Sequence, residues 1–315
     1  MMALVALSAW AALAAAADYP TKPVKIVVPY APGGTTDVLA RFVGLRLSEN
    51  LGQPVVVDNR PGAAEAVGAG AVAKAPADGY TLLLVTLTTQ AINPTLFPKL
   101  PFDATKELTA IGRVADVPGM IAVNPNVPAK NMAEFLSYLK ANPGRNYASP
   151  GAGTPNHLAT ELFLKAAGVQ AVHIPYKGGA PAVQDLMAGH VDFMLILAPE
   201  AMPLIASGKL RGLAVTSLQR SPMFPDLPTV SESGLKDFEM VVWYTLLVPA
   251  GTPPDVIGKL NKSLNYVLNE KITKDKLAEL SIKPAGGTPE EAMSFAAKEA
   301  AKWKKVIEDA NIRAE

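Results

Sequence analysis

The sequence predicts an α/β protein of two lobes joined by two crossing strands. Three observations lead there. A β-branched run, a glycine-containing loop and a stretch of helical periodicity follow one another at least three times, which implies parallel sheets with helical connections. The pattern halts in a proline-rich stretch from Asn93 to Asp103 and restarts at Ile111. The chain then closes with helices that bring little sheet of their own and must pack on an existing lobe. Residues 118–245 are therefore expected to form a lobe inserted between 18–117 and 246–315.

Taken in order, Val24 to Pro29 forms a first strand that stops at Tyr30-Ala31-Pro32-Gly33-Gly34, and Thr35 to Asn50 carries apolar residues at helical spacing. Val55 to Val57 reads as a strand, Ala64 to Lys74 as a small-residue helix, and Thr81 to Thr86 as a third strand after the Asp78-Gly79 turn. Two strands, Ile111 to Val114 and Met120 to Val123, open the second unit. A helix from Lys130 to Ala141, a strand at Asn146 to Ala148, a helix from Asn156 to Ala167 and a strand at Val172 to Ile174 follow. Tyr176-Lys177-Gly178-Gly179 leads into a helix from Ala180 to Ala188, and Val191 to Leu197 and Leu210 to Thr216 add strands. Val241 to Val248 is an unbroken apolar strand. Helices then run from Asp255 to Asn269, Lys274 to Leu280 and Pro289 to Asn311. The crossing segments are Ala115 to Val123 and Met240 to Val248.

Composition narrows the functional classes. With 49% hydrophobic residues among 315, the chain can bury a large core. Its 29 Lys and Arg against 28 Asp and Glu leave a charge of +1, so there is no basic field to recruit nucleic acid. The absence of cysteine removes disulfides and thiolate chemistry. Ala3 to Ala17 is almost wholly apolar and ends in Ala15-Ala16-Ala17 before Asp18, which predicts a signal peptide over 1–17, cleavage at Ala17/Asp18 and a periplasmic, monomeric mature protein.

The stretch Ser149-Pro150-Gly151-Ala152-Gly153-Thr154-Pro155-Asn156-His157 reads as an anion cradle. Glycines allow close approach to the main chain, and helix-opening amides with the positive end of the dipole suit a carboxylate. In a parallel sheet such loops lie at the carboxyl ends of strands, as do Gly33, Gly34 and the segment Thr86, Thr88 and Gln90. Asp37, in a first helical turn, is placed either for the dipole or to accept from a ligand amine. Tyr176 borders another cleft loop. Trp243 in a crossing strand is either core or pocket floor. Asp58, Arg60 and Asp78 read as turn and surface-pair residues.

Other chemistries find no support. Gly208-Lys209-Leu210 and Gly258-Lys259-Leu260 lack the Ser/Thr of a P-loop, Asn156 stands where a dinucleotide fingerprint needs glycine, and no Gly-x-Ser-x-Gly elbow occurs. His157, His173 and His190 have no metal-ligand spacing, so neither a metal nor a cofactor is expected. The alternatives left open are a secreted α/β enzyme with His157 or Asp37 as general base, and a ligand-dependent partner of a membrane sensor.

The ordered set of motifs resembles the Bug-type extracytoplasmic receptors of tripartite tricarboxylate transporters. It comprises Pro32-Gly33-Gly34-Thr35-Thr36-Asp37, Asn59-Arg60-Pro61-Gly62-Ala63, Asp78-Gly79-Tyr80, Gly151-Ala152-Gly153-Thr154 with His157-Leu158, Tyr176-Lys177-Gly178-Gly179, Ala188-Gly189-His190-Val191-Asp192 and Pro249-Ala250-Gly251-Thr252-Pro253. The resemblance implies a type II periplasmic-binding-protein fold that closes on a small mono- or dicarboxylate and hands it to integral-membrane transporter subunits. It also implies a ligand-binding set made of Tyr30, Pro32, Gly33, Gly34 and Asp37, then Thr86, Thr88 and Gln90, and Ser149 to His157, with Tyr176 and Asp192 beside them. Ligands from C4–C6 dicarboxylates and citrate to terephthalate, nicotinate and amino acids are all compatible with backbone recognition. Two departures stand out. Glu65 brings an acid into a turn that is neutral in the family and would disfavour some anions if it reached the cleft; Asn156 replaces a small residue. No arginine lies in the cleft loops. Three or four hydrogen bonds to a charged group, at about 1.5–3 kcal/mol each, nonetheless match the roughly 8 kcal/mol of a micromolar complex.

Overall fold

Three parallel strands beside one antiparallel crossing strand make up each half of the molecule, the arrangement that alternating strands and helices favour. The computed structural model describes residues 19–97 and 99–310; the predicted signal peptide and its cleavage point lie outside them. In the first half, β1 (Val24–Val28) is followed by helix α1 (Thr35–Leu51), β2 (Val55–Asn59), α2 (Ala66–Ala73) and β3 (Thr81–Thr86). β2 and β3 both run parallel to β1. α1 stops at Gly52, whose φ of 72° puts the C-cap in the left-handed region, where glycine carries no steric penalty.

The proline-rich stretch is more regular than its composition predicts. A π-helical turn, Thr88–Ile92, runs into α3 (Asn93–Leu96) and then α4 (Ala104–Glu107). Pro94 sits in the first turn of α3, where its missing N–H is harmless, and the Asp103 side chain caps α4 by accepting from the Thr105 N–H.

β4 (Leu108–Val123) is one strand where two were expected. It pairs with β9 (Val241–Pro249) as far as Pro118 and with β7 from Gly119 onward. The proline, which has no donor, thus falls where the strand changes partner, so the chain continues through it. Between the crossing strands lie α5 (Met132–Ala141), β5 (Arg145–Ser149), α6 (Pro155–Ala167), β6 (Ala171–Pro175), α7 (Gly179–Ala188), β7 (Phe193–Leu197), α8 (Ala198–Ala206) and β8 (Arg211–Val215). After β9 come α9 (Pro254–Asn269), α10 (Lys271–Glu279), β10 (Lys283–Gly286) and α11 (Pro289–Ala310). Neither α8 nor β10 was expected from sequence.

The strand order is β2-β1-β3-β9-β4-β7-β5-β6, with β8 and β10 also pairing to β4. Its two ends mirror each other: β2-β1-β3 meets antiparallel β9, and β6-β5-β7 meets antiparallel β4. The two crossing strands therefore tie two α/β lobes together. α9 packs on α1, and α11 packs on β4 and the π-helical turn, so the terminal helices return to the first lobe. Aromatic residues Phe135, Tyr147, Phe163 and Phe193 are fully buried in the second lobe, and Ile26, Leu82 and Leu84 in the first. Each such side chain contributes about 1.5–3 kcal/mol by leaving water.

Candidate ligand-binding cleft

Because both lobes are built on parallel strands, the carboxyl ends of β1, β3, β5 and β7 face one cleft. The lobes are in contact across it, leaving a cavity of 30 Å³, room for one or two waters. Tyr30, Gly34, Thr35, Thr36 and Thr86 line it from the first lobe. Pro150, Pro155, Asn156, Gly179 and Glu200 line it from the second, and Tyr244 of β9 forms its floor. Tyr244 is wholly buried, and its hydroxyl has no hydrogen-bond partner among the described residues.

The loop after β5 is largely satisfied within itself. The Gly151 N–H donates to Ser149 Oγ at 3.1 Å and the Gly153 N–H to His157 Nδ1 at 3.1 Å, while the Thr154 hydroxyl donates to Gly151 O at 2.7 Å. Ser149 Oγ lies 2.6 Å from His173 Nε2. Gly151, Gly153, Thr154, Ser149 and His157 thus shape the loop instead of facing the cavity. Gly153 also lets the lobes meet: at φ 76°, a Cβ there would lie 3.0–3.2 Å from Phe97 and Leu96. Asn156 does line the cavity, although its Nδ2 donates to Leu195 O at 2.7 Å. Ala152 is partly exposed and outside the cavity lining.

On the first-lobe side, Pro32 and Gly33 are exposed at the rim. Asp37 is tied to its own loop, accepting from the Gly33 N–H and Arg41 Nε through Oδ2 and from Asn59 Nδ2 through Oδ1. Burial alone would raise its pKa, but the bonds from Arg41, Gly33 and Asn59 outweigh this and lower it. Thr88 is fully buried beneath the wall, with its hydroxyl 2.9 Å from that of Thr86. Gln90 turns toward α11 and contacts Met293 Sδ at 3.8 Å.

Three of the residues singled out from the sequence lie apart from the cavity lining. Asp192 lies at the far end of β5, accepting from the Asn146 N–H at 3.0 Å and the Tyr138 hydroxyl at 3.3 Å. Tyr176 spends its hydroxyl on Asp185 at 2.6 Å, outside the cavity lining. Trp243 takes the core alternative, buried and packed edge-on against Phe295 at 5.3 Å; strand alternation puts Val242 and Tyr244 on the cavity face.

Glu65 does not reach the cavity either. It is 1% exposed and accepts from the N–H and hydroxyl of Thr86 (3.0 and 2.6 Å) and of Thr89 (3.1 and 2.6 Å). Burial raises its pKa, opposed by the Thr86 and Thr89 hydroxyls, the Thr86 N–H and the Tyr30 hydroxyl. The acid that enters the cleft is Glu200, in the first turn of α8. Its Oε1 accepts from the N–H of Thr35 at 2.7 Å and from its hydroxyl at 2.8 Å, across the lobes. The residue keeps some surface exposure, and burial raises its pKa, opposed by the Thr35 bonds. The proline pair Pro199 and Pro203 hid α8 in the sequence, although Pro199 followed by an acid is a helix-start signal.

A family model described as tripartite tricarboxylate transporter family receptor matches residues 39–312. BugT of Bordetella pertussis is 38% identical over 307 residues, covering 97% of this chain and 94% of BugT. The solved structure of Rpa4515 from R. palustris, with adipate, superposes with a TM-score of 0.91 at 37% identity, covering 94% of this chain and 99% of that one. MatC (Rpa3494) from Rhodopseudomonas palustris, with bound malate, gives a TM-score of 0.87 at 30% identity over 92% of this chain and all of that one. The chain therefore belongs to the tripartite tricarboxylate transporter receptor family, with the two-lobed fold of a periplasmic binding protein.

Proposed function

We propose that the protein is a non-enzymatic periplasmic receptor that clamps a small organic carboxylate between its lobes and delivers it to membrane subunits of a tripartite tricarboxylate-type transporter. The observation that carries this reading is the opposition of two helix-opening glycine loops, before α1 and before α6, on either side of the cavity between the lobes. Such ends favour an anion through the positive end of the helix dipole. Family membership and the adipate and malate of relatives support the ligand class. Segments 18–117 and 246–315 form one closing body and 118–245 the other, and only the closed form lets a ligand touch both.

The two general bases considered for an enzyme are both engaged in the loops. His157 Nδ1 is occupied by the Gly153 N–H, Asp37 by three donors, and neither lines the cavity. Among the described residues no helix is long and apolar enough to cross a membrane, in keeping with export of a mature chain from Asp18. A thermal-shift panel of organic acids tests the reading: stabilisation by at least one carboxylate is expected, whereas stabilisation only by a neutral sugar or a cation overturns it.

A further inference from the structure

The first-lobe anion seat of this cleft is already taken by the protein itself. Thr35 opens α1, and its N–H and hydroxyl both point their hydrogens at Glu200 Oε1. Two glycines make the space for this carboxylate. A Cβ on Gly179 would lie 2.6 Å from Oε2, and one on Gly34 would lie 3.4 Å from Oε1. Gly179 opens α7 as Thr35 opens α1, so the acid sits between two helix N-termini, both of which favour negative charge. Glu200 also sits in the first turn of its own helix.

What remains for a ligand is chemically lopsided. Oε2 accepts no hydrogen bond from the described residues, and the Tyr244 hydroxyl of the cavity floor is buried without a partner. Among the described residues no Lys, Arg or His lines the cavity and Glu200 is its only charged wall residue, with Glu65 buried behind Thr86. A second ligand carboxylate brought to this side would face a like charge with no cation to compensate it.

We infer that Glu200 sets the ligand class of the cleft: it holds the first-lobe seat itself, so the cleft takes a ligand with one carboxylate and a hydrogen-bond donor, ammonium or hydroxyl, at its other end, and turns away dianionic dicarboxylates. The ligand carboxylate binds the second-lobe side near Asn156, and the donor end meets Oε2 and the Tyr244 hydroxyl. This rests on the carboxylate-receptor reading above. It also separates this chain from the two relatives whose structures hold adipate and malate.

Titration calorimetry at pH 7 on the wild type and Glu200→Gln tests the inference with length-matched probes: adipate against 5-aminopentanoate and 5-hydroxypentanoate, and glutarate against 4-aminobutanoate. The wild type is expected to prefer the donor-bearing acids by about tenfold or more, and Glu200→Gln to lose or reverse that preference. Glu200→Ser, which also removes the charge, serves the same comparison if the glutamine variant fails to fold. Equal or tighter binding of the dicarboxylates by the wild type overturns the inference while leaving the carboxylate receptor standing. An unchanged preference in both variants also overturns it. Binding of none of these or any other organic acid overturns the receptor reading and this one with it.

Discussion

The imidazoles of His157 and His173 stack with centroids 4.0 Å apart and planes 11° from parallel, directly behind the loop that opens α6. Burial lowers the His157 pKa to about 4, and burial together with His157 lowers that of His173 to about 3. Both rings are therefore neutral supports. His157 accepts from the loop at Gly153, and His173 bonds Ser149.

Acid should loosen this support. An unfolded histidine protonates near pH 6.5 but these two resist it when folded, so the stability they lend is present above about 6.5 and is lost as pH falls toward 4 and then 3. At pH 5 the loss is about 2 kcal/mol for His157 and smaller for His173, which is less buried. The buried glutamates Glu65 and Glu200, with raised pKa values, act in the opposite sense, favouring the folded state as pH falls. The test is accordingly a difference: His173→Phe should flatten the fall in denaturation free energy between pH 7 and pH 5 relative to wild type, and parallel curves would refute the neutral-stack assignment.

Glu65 anchors the segment after β3 to the start of α2. Replacing it with alanine strands four donors of Thr86 and Thr89 in the interior, a loss of about 3–5 kcal/mol by chemical denaturation. Glu65→Gln keeps part of the network and should cost less than half as much. A near-neutral alanine variant would show that these bonds do not hold the cleft wall.

Asp37 is predicted to be structural. Asp37→Asn should lower stability by about 1–2 kcal/mol through the weakened contacts with Arg41 and the Gly33 N–H, with ligand affinity by calorimetry changing less than about threefold. A loss of binding at full stability would instead return Asp37 to the ligand.

Tyr244→Phe provides the converse case. The hydroxyl it removes has no partner in the protein, so stability should change by less than about 0.5 kcal/mol or rise. Affinity for the ligand should fall about tenfold, the worth of one hydrogen bond to a charged or strongly polar group. Unchanged affinity would mean that the floor of the cavity does not contact ligand.

Local physics made much of this protein legible from residue order alone. Strand runs, helical periodicity and glycine loops are determined by neighbours a few positions apart, and they placed β1, β3, α1, α6 and β9 close to where they lie, together with the opposed loops and the family. The two-lobe division followed from where the pattern stopped and restarted. The proline-containing α8 was missed because two prolines mask its helical pattern, Pro199 in its first turn and Pro203 inside the helix. Tertiary structure alone decided which groups reach the cleft. Thr35 and Glu200 are 165 residues apart and meet only because the second lobe folds against the first. Of two acids that composition could not tell apart, Glu65 is drawn inward by four donors and Glu200 is left facing the cavity. Hydrogen-bond satisfaction is a property of the assembled backbone, and it turned the most promising amides of the Ser149 loop inward while leaving the Tyr244 hydroxyl open.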